Sequence, residues 1–330
     1  MRRVLLVWAG IAGMLLGDYA GAWGAEGHRT VGALAAKLIE GSRAAVEVRS
    51  LLGELSLADA ALWADCVKGV KPDLTYESSG RFPECQVFET PQGQAEMIDY
   101  VRRNLRACNP RPDEEDCHRQ YHYTDLNLPQ ALYRPGLVGT RDDDIVSAIS
   151  AAIRVLKGEP APPPFDIKSK REALLMLTHY VGDIHQPLHV GSIYLNQAGQ
   201  RVNPDQNGLD PNSSTRGGNE LIVATRKLHA MWDDIYPSQR MDRIDAAWIR
   251  RARAVPATAT DIDQFPAIWA SESLRLSREA FRLVKFAPRA GKQWPTTLPS
   301  DYPARMAIVK KAQLTAAAAH LAEVLQLVWR

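Results

Sequence analysis

Two histidines, each followed four residues later by an aspartate on a stretch of helical periodicity, constrain this chain more than any other feature. The pairs are His179 with Asp183 and His229 with Asp233. Residues four apart lie on one face of an α-helix, one turn along, so each pair aims an imidazole and a carboxylate at one point. Imidazole nitrogen and carboxylate oxygen without thiolate suit catalytic zinc. The two pairs therefore predict metal sites built on helices.

The first pair belongs to a longer motif, since residues 182–189 read GDIHQPLH. Pro187 marks the end of a helix, which lets His189 turn toward a different centre from His179. His185 lies between these histidines along the chain but faces away from His179 if the helix continues. We therefore interpret His185 as structural and His189 as a candidate ligand.

Helical periodicity dominates the rest of the chain, and no comparable run alternates with period two. The predicted helices cover residues 30–40, 44–52, 94–107, 143–157, 168–188, 220–235, 266–286 and 303–329. The acidic run at 142–144 is expected to cap one of them. Residues 192–219 form a long polar loop, and loops of that length are more often functional than idle. Because no repeat and no flexible linker divides the chain, we expect residues 23–330 to form a single compact all-α domain with long polar loops.

Overall charge excludes one way of binding substrate. Forty Lys and Arg against 38 Asp and Glu leave a net charge of +2, while 45% of the residues are hydrophobic. The chain can bury a large core, but it has no bulk charge to hold nucleic acid or a membrane surface. Any phosphate binding must therefore be local.

The first 22 residues have the organisation of a signal peptide. Two arginines precede an apolar run, residues 4–16, that is too short to span a bilayer as a helix. Ala20 and Ala22 are the small residues that a signal peptidase needs. We expect cleavage after Ala22, which makes Trp23 the first residue of a secreted or periplasmic protein without a membrane anchor.

Four cysteines, Cys66, Cys85, Cys108 and Cys117, would meet oxidant in an exported protein. An even number predicts two disulfides rather than reactive thiols, and three connectivities are possible. A Cys108–Cys117 bond would staple the polar insertion 109–116 and is preferred, leaving Cys66 with Cys85. No pair has the C-x-x-C spacing of a zinc knuckle, so the thiols are not expected to bind metal.

These motifs together resemble a known family: the zinc-dependent type I nucleases, which comprise fungal single-strand-specific nucleases and plant bifunctional nuclease/3′-nucleotidases. The family is related in fold to the bacterial zinc phospholipases C. The resemblance covers essentially all of residues 23–330. In chain order it rests on Trp23, Gly27-His28, Trp63-Ala64-Asp65, His122-Tyr123-Thr124-Asp125, the segment from His179 to His189, Gly217-Gly218-Asn219 and the segment from Leu228 to Asp233.

The resemblance implies three bound Zn²⁺ ions. The first would be held by Asp65, His122, His179 and Asp183, the second by His189, His229 and Asp233, and the third by Trp23, His28 and Asp183. Asp183 would bridge the first and third ions, and Trp23 would contribute its α-amino group and backbone carbonyl. Because that amine becomes free only when the leader is removed, export and activation would be one event.

The resemblance also implies the reaction. It is hydrolysis of phosphodiester bonds in single-stranded RNA and DNA to 5′-phosphate products, with 3′-nucleotides as further substrates, by a hydroxide activated at the trinuclear zinc cluster. Asp65 would stand beside the attacking water as well as holding zinc. Three residues later the family commonly carries arginine, whereas this chain has Lys68. Lysine keeps the charge for contacting the scissile phosphate but loses the bidentate fork.

Substrate selection follows from the same resemblance. Tyr123 would stack on a base, Asp125 would accept hydrogen bonds from base N–H groups, and Asn219 would join them in binding substrate. An alternative is that Tyr123 and Asp125 only support His122.

Two other functions compete with a nuclease. A zinc phospholipase C would share the three-metal core and the N-terminal tryptophan, but the motifs at 122–125 and 217–219 are similar to the nuclease branch. A secreted zinc-binding scaffold without turnover is the second alternative, which Lys68 keeps open. No protein partner is implied.

Overall fold

The computed structural model describes residues 23–77, 82–107 and 117–330. Its α-helices are α1 (Ala25–Ile39), α2 (Arg43–Leu52), α3 (Leu57–Ala60), α4 (Trp63–Val67), α5 (Pro91–Ala107), α6 (Cys117–Gln120), α7 (Ile145–Leu156), α8 (Lys170–Ile184), α9 (Pro204–Asn207), α10 (Leu228–Asp233), α11 (Ala246–Arg253), α12 (Phe265–Ala280) and α13 (Tyr302–Val328). Short 3₁₀-helices lie at Pro83–Phe88, Pro187–His189, Pro211–Ser213, Pro237–Gln239, Met241–Arg243 and Ile262–Gln264. The fold is all-α, as the sequence predicted.

Short β-strands lie between the helices along the chain. They are β1 (Leu126–Asn127), β2 (Gly191–Ser192), β3 (Tyr194–Leu195), β4 (Arg201–Val202), β5 (Leu221–Val223), β6 (Arg226–Lys227), β7 (Lys285–Phe286) and β8 (Trp294–Thr297). β1 pairs in parallel with β2, β3 pairs antiparallel with β4, and the remaining four form a small sheet in the order β6-β5-β8-β7.

Helix α8 lies at the centre of the fold. Every residue from Glu172 to Ile184 is buried, and α7, α13, α1, α4 and α12 pack around it. A helix buried on all sides is normally apolar all round, so its polar residues need partners. Two of them are His179 and Asp183, both fully buried. The core of the protein is thus built around the first histidine–aspartate pair.

Helix α1 begins earlier and helix α8 ends earlier than the sequence predicts. Helix α1 begins at Ala25 rather than at residue 30, so His28 lies on its first turns. Helix α8 ends at Ile184, and Pro187 opens the 3₁₀ turn that carries His189. The proline therefore ends the helix as expected, because it has no N–H to donate and its ring clashes with the carbonyl one turn back.

The helix predicted over residues 220–235 is wrong in its first half. Leu221–Val223 and Arg226–Lys227 are antiparallel strands, and only Leu228–Asp233 is helical. Branched Ile222 and Val223 favour the strand, and Ala224 turns the chain with φ of 56°. Pairing of β5 with β8 then overrides helical periodicity.

Local stabilising features agree with the sequence where they can be compared. Asp144 caps α7 by accepting from the N–H groups of Val146 and Ser147. The predicted Cys66–Cys85 disulfide is present, with Cα atoms 5.5 Å apart, and ties α4 to the 3₁₀-helix Pro83–Phe88. The Cys108–Cys117 prediction includes Cys108, which lies outside the described residues, as do residues 1–22 of the predicted signal peptide.

Membrane insertion finds no support among the described helices. None of those helices combines the length and the apolar character needed to cross a bilayer.

Candidate metal centre

Asp183 is the point at which several candidate ligands converge. Its Oδ2 lies 3.1 Å from His179 Nε2 and 2.9 Å from His122 Nδ1, and its Oδ1 lies 3.1 Å from His28 Nε2. The histidines come from three separate parts of the chain. The predicted pairing of His179 with Asp183 on one helix face is therefore present, and tertiary packing adds two further imidazoles to it.

Pairing of β1 with β2 brings His122 to this point. The N–H of Thr124 donates to the carbonyl of His189 over 2.8 Å, and the N–H of Leu126 donates to that of Val190 over 2.9 Å. Residues 122–127 therefore run beside residues 189–192. This alignment places His122 between the two helical pairs.

Asp65 approaches the same group from α4. Its Oδ1 lies 3.7 Å from His179 Nε2 and 3.8 Å from His122 Nδ1, and accepts a hydrogen bond from Lys68 Nζ over 2.7 Å. At 24% side-chain exposure Asp65 is partly buried, whereas Asp183 is fully buried. Two sets of donor atoms, each within 4.8 Å of one another, are formed by His28, Asp65 and His179 and by His122, His179 and Asp183.

A second centre is formed by His189, His229 and Asp233. Their donor atoms also lie within 4.8 Å of one another. The two Nε2 atoms are 3.1 Å apart, and Asp233 Oδ1 lies 3.9 Å from His189 Nε2 and 3.7 Å from His229 Nε2. The family resemblance implied that these three residues form one site, and the structure brings them together.

The protonation of the second centre tests whether it fits a metal ion. His189 Nδ1 lies 2.8 Å from the carbonyl of His122, and His229 Nδ1 lies 2.7 Å from that of Gly217. A carbonyl only accepts, so each Nδ1 carries a proton, and in the neutral ring each Nε2 is then a lone pair. Two lone pairs face each other at 3.1 Å, an arrangement that repels unless a cation lies between them. Backbone carbonyls that orient histidines in this way are typical of metal sites.

The first centre passes a similar test. His179 Nδ1 is 2.6 Å from the carbonyl of Ala61, so its Nε2 is left to face Asp183. Among the described residues, His28 Nε2, His122 Nε2 and Asp183 Oδ1 are buried without a hydrogen bond. Buried polar atoms without partners are rare in proteins. The donor set therefore fits metal ions.

The pKa shifts of the candidate ligands also bear on metal binding. Burial lowers the pKa of His189, and it lowers the pKa of His229 to about 3, so both rings are neutral. Burial raises the pKa of Asp233 well above its ordinary value. Burial alone would also raise the pKa of Asp183, but the charge of His179 and the hydrogen bonds from His122 and His179 more than offset it and hold that pKa well below its ordinary value. Burial therefore disfavours the ionised form of Asp233, and a bound cation would restore that form.

Trp23 ties the beginning of the described chain to both centres. Its ring is fully buried and its Nε1 donates to the carbonyl of Gly182 over 2.9 Å, next to Asp183. The neighbouring Gly24 N–H donates to the carbonyl of Asp233 over 2.9 Å. Packing is so close that a Cβ on Gly182 would lie 2.9 Å from His28 Nδ1. Trp23 as a zinc ligand stays a prediction.

Sequence reasoning missed Gln186. Its fully buried side chain donates from Nε2 to Asp233 Oδ1 over 2.8 Å and accepts from the N–H of Leu188 over 2.6 Å. Gln186 therefore links the turn that bears His189 to the carboxylate of the second centre. Its place inside the GDIHQPLH motif was the signal that could have identified it.

Lys310 was also missed. Its Nζ reaches from α13 to the carbonyls of Met231 and Asp234, at 2.6 Å each, and so caps the end of α10. Cations favour the carbonyl end of a helix, and this one holds the helix that carries His229 and Asp233. A lysine in a long helix is normally exposed to solvent, so the local sequence gave no indication that Lys310 is buried.

His185 contacts neither centre. Its Nδ1 lies 2.7 Å from the carbonyl of Val181 and its Nε2 lies 2.8 Å from His320 Nδ1, while His320 stacks on Trp269. His320 is buried, as is His118, so both are packing residues.

Two clefts open beside the metal-binding groups. The first cleft, about 480 Å³, is lined by Asp65, Lys68, Lys71, Arg119, Asp233 and neighbouring residues. The second cleft, about 500 Å³, is lined by Gln120, Tyr123, Asp125, Tyr194, Arg216, Glu220, Arg289, Lys292 and neighbouring residues. Adjacent residues Arg119 and Gln120 of α6 thus face different clefts.

The predicted substrate residues are divided between these clefts. Lys68 lines the first, and Tyr123 and Asp125 line the second. Asn219 lies between two lining residues of the second cleft, and its Nδ2 donates to the carbonyl of Arg216 over 3.0 Å.

A helical fold with three His/Asp groups near its centre defines a class of proteins with a candidate multinuclear metal site. The model of the S1/P1 nuclease family matches residues 23–330. This chain belongs to the S1/P1 nuclease family, as its resemblance to type I nucleases predicted.

Two plant proteins are similar to the chain. It is 26% identical over 221 residues to "Endonuclease 5" of Arabidopsis thaliana, an alignment that covers 64% of this chain and 55% of that protein. It is 26% identical over 220 residues to "Endonuclease 4" of the same plant, covering 64% and 54%. The chain thus spans about half the length of these curated relatives. Family and relatives support a phosphodiester hydrolase, and the family is zinc-dependent.

Proposed function

We propose that this protein is a secreted, zinc-dependent endonuclease that hydrolyses single-stranded RNA and DNA to 5′-phosphate products and also removes phosphate from 3′-nucleotides. The facing Nε2 lone pairs of His189 and His229 carry the proposal. A bound cation would relieve their repulsion, and the chain belongs to a family of nucleases.

Three Zn²⁺ ions would be divided among the described groups. Asp65, His122, His179 and Asp183 would hold the first, His189, His229 and Asp233 the second, and Trp23, His28 and Asp183 the third. The position of Asp183 among three imidazoles supports its role as a bridge. When bound, such ions lower the pKa of water and neutralise charge on a phosphate group.

The protein's own residues would orient the phosphodiester in the first cleft. Lys68 Nζ holds Asp65 Oδ1 at 2.7 Å and lies at 17% exposure, so its ammonium faces both the carboxylate and the cleft. It would attract the scissile phosphate and keep Asp65 ionised. Burial raises the pKa of Asp65, but Lys68 and the nearby histidines outweigh burial and leave that pKa below its ordinary value. Asp65 would thus be ready to bind a metal ion and to orient a water molecule.

The depth of the centre favours single strands. The imidazoles of both centres are almost fully buried, between 0 and 4% exposed. A phosphate must leave its helical stack to reach them, which is costly while its base is paired. Tyr123 would stack on a base in the second cleft, and Asp125 would select it by hydrogen bonding.

Secretion is part of the same proposal. The Cys66–Cys85 disulfide supports an oxidising compartment, and removal of residues 1–22 would free the amine of Trp23. The protein would therefore act outside the cytoplasm, in the periplasm or beyond the cell.

The test compares substrates for purified, zinc-loaded protein that begins at Trp23. We expect release of 5′-phosphorylated products from single-stranded RNA and DNA and of phosphate from 3′-AMP, much slower cleavage of duplex DNA, and loss of activity on chelation that Zn²⁺ restores. Turnover of phosphatidylcholine instead would identify a phospholipase C. Full zinc content without turnover of any substrate would identify a binding scaffold.

A further inference from the structure

The hairpin of β7 and β8 brings two cations to the second cleft. Arg289 and Lys292 lie on its loop and line that cleft. Across the described part of the chain, no carboxylate lies within ion-pair distance of either one, whereas Arg141 of the same cleft is paired with Asp143. The two cations therefore remain available to an anionic ligand.

The loop holds Arg289 in place. Its guanidinium lies 4.7 Å from the ring centroid of Trp294, and its backbone N–H donates to the carbonyl of Gln197 over 2.9 Å. Trp294 is itself buried and donates from Nε1 to the carbonyl of Asn196 over 3.0 Å. An arginine stacked on a fixed ring loses little freedom when it binds an anion.

The hairpin is also connected to the second metal centre. β8 pairs with β5, with Trp294 opposite Leu221, and the N–H of Trp294 donates to the carbonyl of Glu220 over 2.8 Å. Glu220 follows closely after Gly217, whose carbonyl orients His229. The loop and the metal centre are thus joined through one hydrogen-bonded framework.

The same cleft is also lined by Tyr123, which directly follows His122 in the sequence. Tyr194, which also lines the cleft, donates from its hydroxyl to the carbonyl of Asp125 over 2.8 Å. Aromatic side chains facing unpaired cations form the two halves of a nucleotide site, because bases stack on rings and phosphates bind cations. A cavity of about 500 Å³ has room for one nucleotide.

We propose that Arg289 and Lys292 form a phosphate-binding subsite for a nucleotide that flanks the scissile bond. The inference rests on the proposed nuclease function and adds that the second cleft binds a longer strand than the reaction itself requires. Phosphate contacts position a strand without reading its sequence. With a net charge of only +2, the protein must hold the strand through such local contacts.

The test measures kcat/KM of the zinc-loaded enzyme on a single-stranded octanucleotide and on a dinucleotide, at several NaCl concentrations. In Arg289→Ala/Lys292→Ala we expect kcat/KM on the octanucleotide to fall about tenfold, mainly through KM, with the dinucleotide unchanged. The dependence of log kcat/KM on log salt should weaken by about 0.7 for each phosphate that the variant no longer neutralises. The matched control is Arg282→Ala/Lys285→Ala, which removes two exposed cations that do not line the cleft: Lys285 lies in β7, and Arg282, just before it, pairs with Glu279.

Three results would overturn the subsite. The first is an unchanged kcat/KM on the octanucleotide, and the second is an equal loss of kcat/KM on both substrates. The third is the same loss in the control variant. If loss of the stacking between Arg289 and Trp294 destabilises the hairpin, the single variant Lys292→Glu replaces the double variant. It should raise KM for the octanucleotide and leave KM for the dinucleotide unchanged. A wild-type enzyme that cleaves neither oligonucleotide would instead refute the nuclease proposal on which the inference rests.

Discussion

The Nε2 atoms of His189 and His229 lie 3.1 Å apart, while the opposite nitrogen of each ring lies within 2.8 Å of a backbone carbonyl. In each neutral ring Nδ1 therefore donates to the backbone carbonyl, and Nε2 presents its lone pair to the other ring. We expect His229→Ala to bind one Zn²⁺ fewer per chain than the wild type, because the second centre loses one of three donors. Elemental analysis of dialysed protein measures this.

His320→Ala is the matched control for zinc content. It removes a buried histidine that contacts His185 and Trp269 rather than a metal group. Equal zinc content in His229→Ala and His320→Ala would refute the second centre. Chelation of the wild type should also lower its melting temperature, since bound metal stabilises the folded state by about 4 kcal/mol at a thousandfold excess over Kd.

Asp183→Ala should impair hydrolysis far more than His185→Ala. Asp183 lies within 3.1 Å of three imidazoles, whereas His185 contacts His320 and the backbone. We expect kcat/KM to fall at least about 100-fold with loss of zinc in the first variant, since even outer-shell partners of metals contribute 10- to 100-fold. His185→Ala should lose stability while keeping zinc. Kinetics on samples matched for folded content by circular dichroism would contradict the assignment if both losses were equal.

Lys68→Met should lower kcat/KM by about 10- to 100-fold, because a hydrogen bond to a charged group contributes about 1.5–3 kcal/mol. The variant loses the 2.7 Å bond to Asp65 and a cation in the first cleft. Lys68→Arg keeps the charge and should retain most activity. Lys71→Met is the control, since Lys71 lines the same cleft but pairs with Glu77. A similar loss in the Lys71 variant would mean that Lys68 acts only through general charge.

Lys310 should make stability depend on pH. Burial lowers its pKa to about 8, whereas the unfolded chain keeps a lysine pKa near 10.4. Between these values the unfolded chain binds a proton that the folded protein lacks, so the free energy of unfolding rises with pH. Below pH 8 both states are protonated and the contribution is at its minimum. The full rise is about 3 kcal/mol, from 1.36 kcal/mol per pKa unit.

Urea unfolding of wild type and Lys310→Met between pH 7.5 and pH 10 measures this contribution. The difference in unfolding free energy should move in favour of the wild type as the pH rises, because methionine cannot lose a proton. Lys311→Met removes the neighbouring lysine of α13, which lies over Trp248 instead, and serves as the control. Parallel curves for wild type and Lys310→Met would show that Lys310 titrates normally.

A methionine before Trp23 should abolish most hydrolysis if the α-amino group binds zinc. The indole would still reach the carbonyl of Gly182, so the extended protein should fold. We expect it to contain about one Zn²⁺ fewer than protein that begins at Trp23. Trp23→Phe keeps the free amine and loses only the indole bond, so it should be less impaired. Full zinc and full activity in the extended protein would exclude Trp23 as a ligand.

Local spacing determined what a few neighbouring residues can do. Helical periodicity predicted α2, α7, α12 and α13 to within a few residues at most ends. The four-residue spacing also predicted that His179 and Asp183 face one point, which they do at 3.1 Å. Both predictions follow from the geometry of the α-helix, in which side chains about one turn apart lie on the same face.

Tertiary structure decided which distant residues meet. Gln186 reaches Asp233 across 47 positions and Lys310 reaches Met231 across 79, and neither contact has a periodic signature. The strands at 221–227 form because β8 pairs with β5 from over 70 positions away. Sequence spacing sets geometry only along one continuous helix or strand. Contacts between separate elements depend on how the helices pack around α8, and that packing is a property of the whole core.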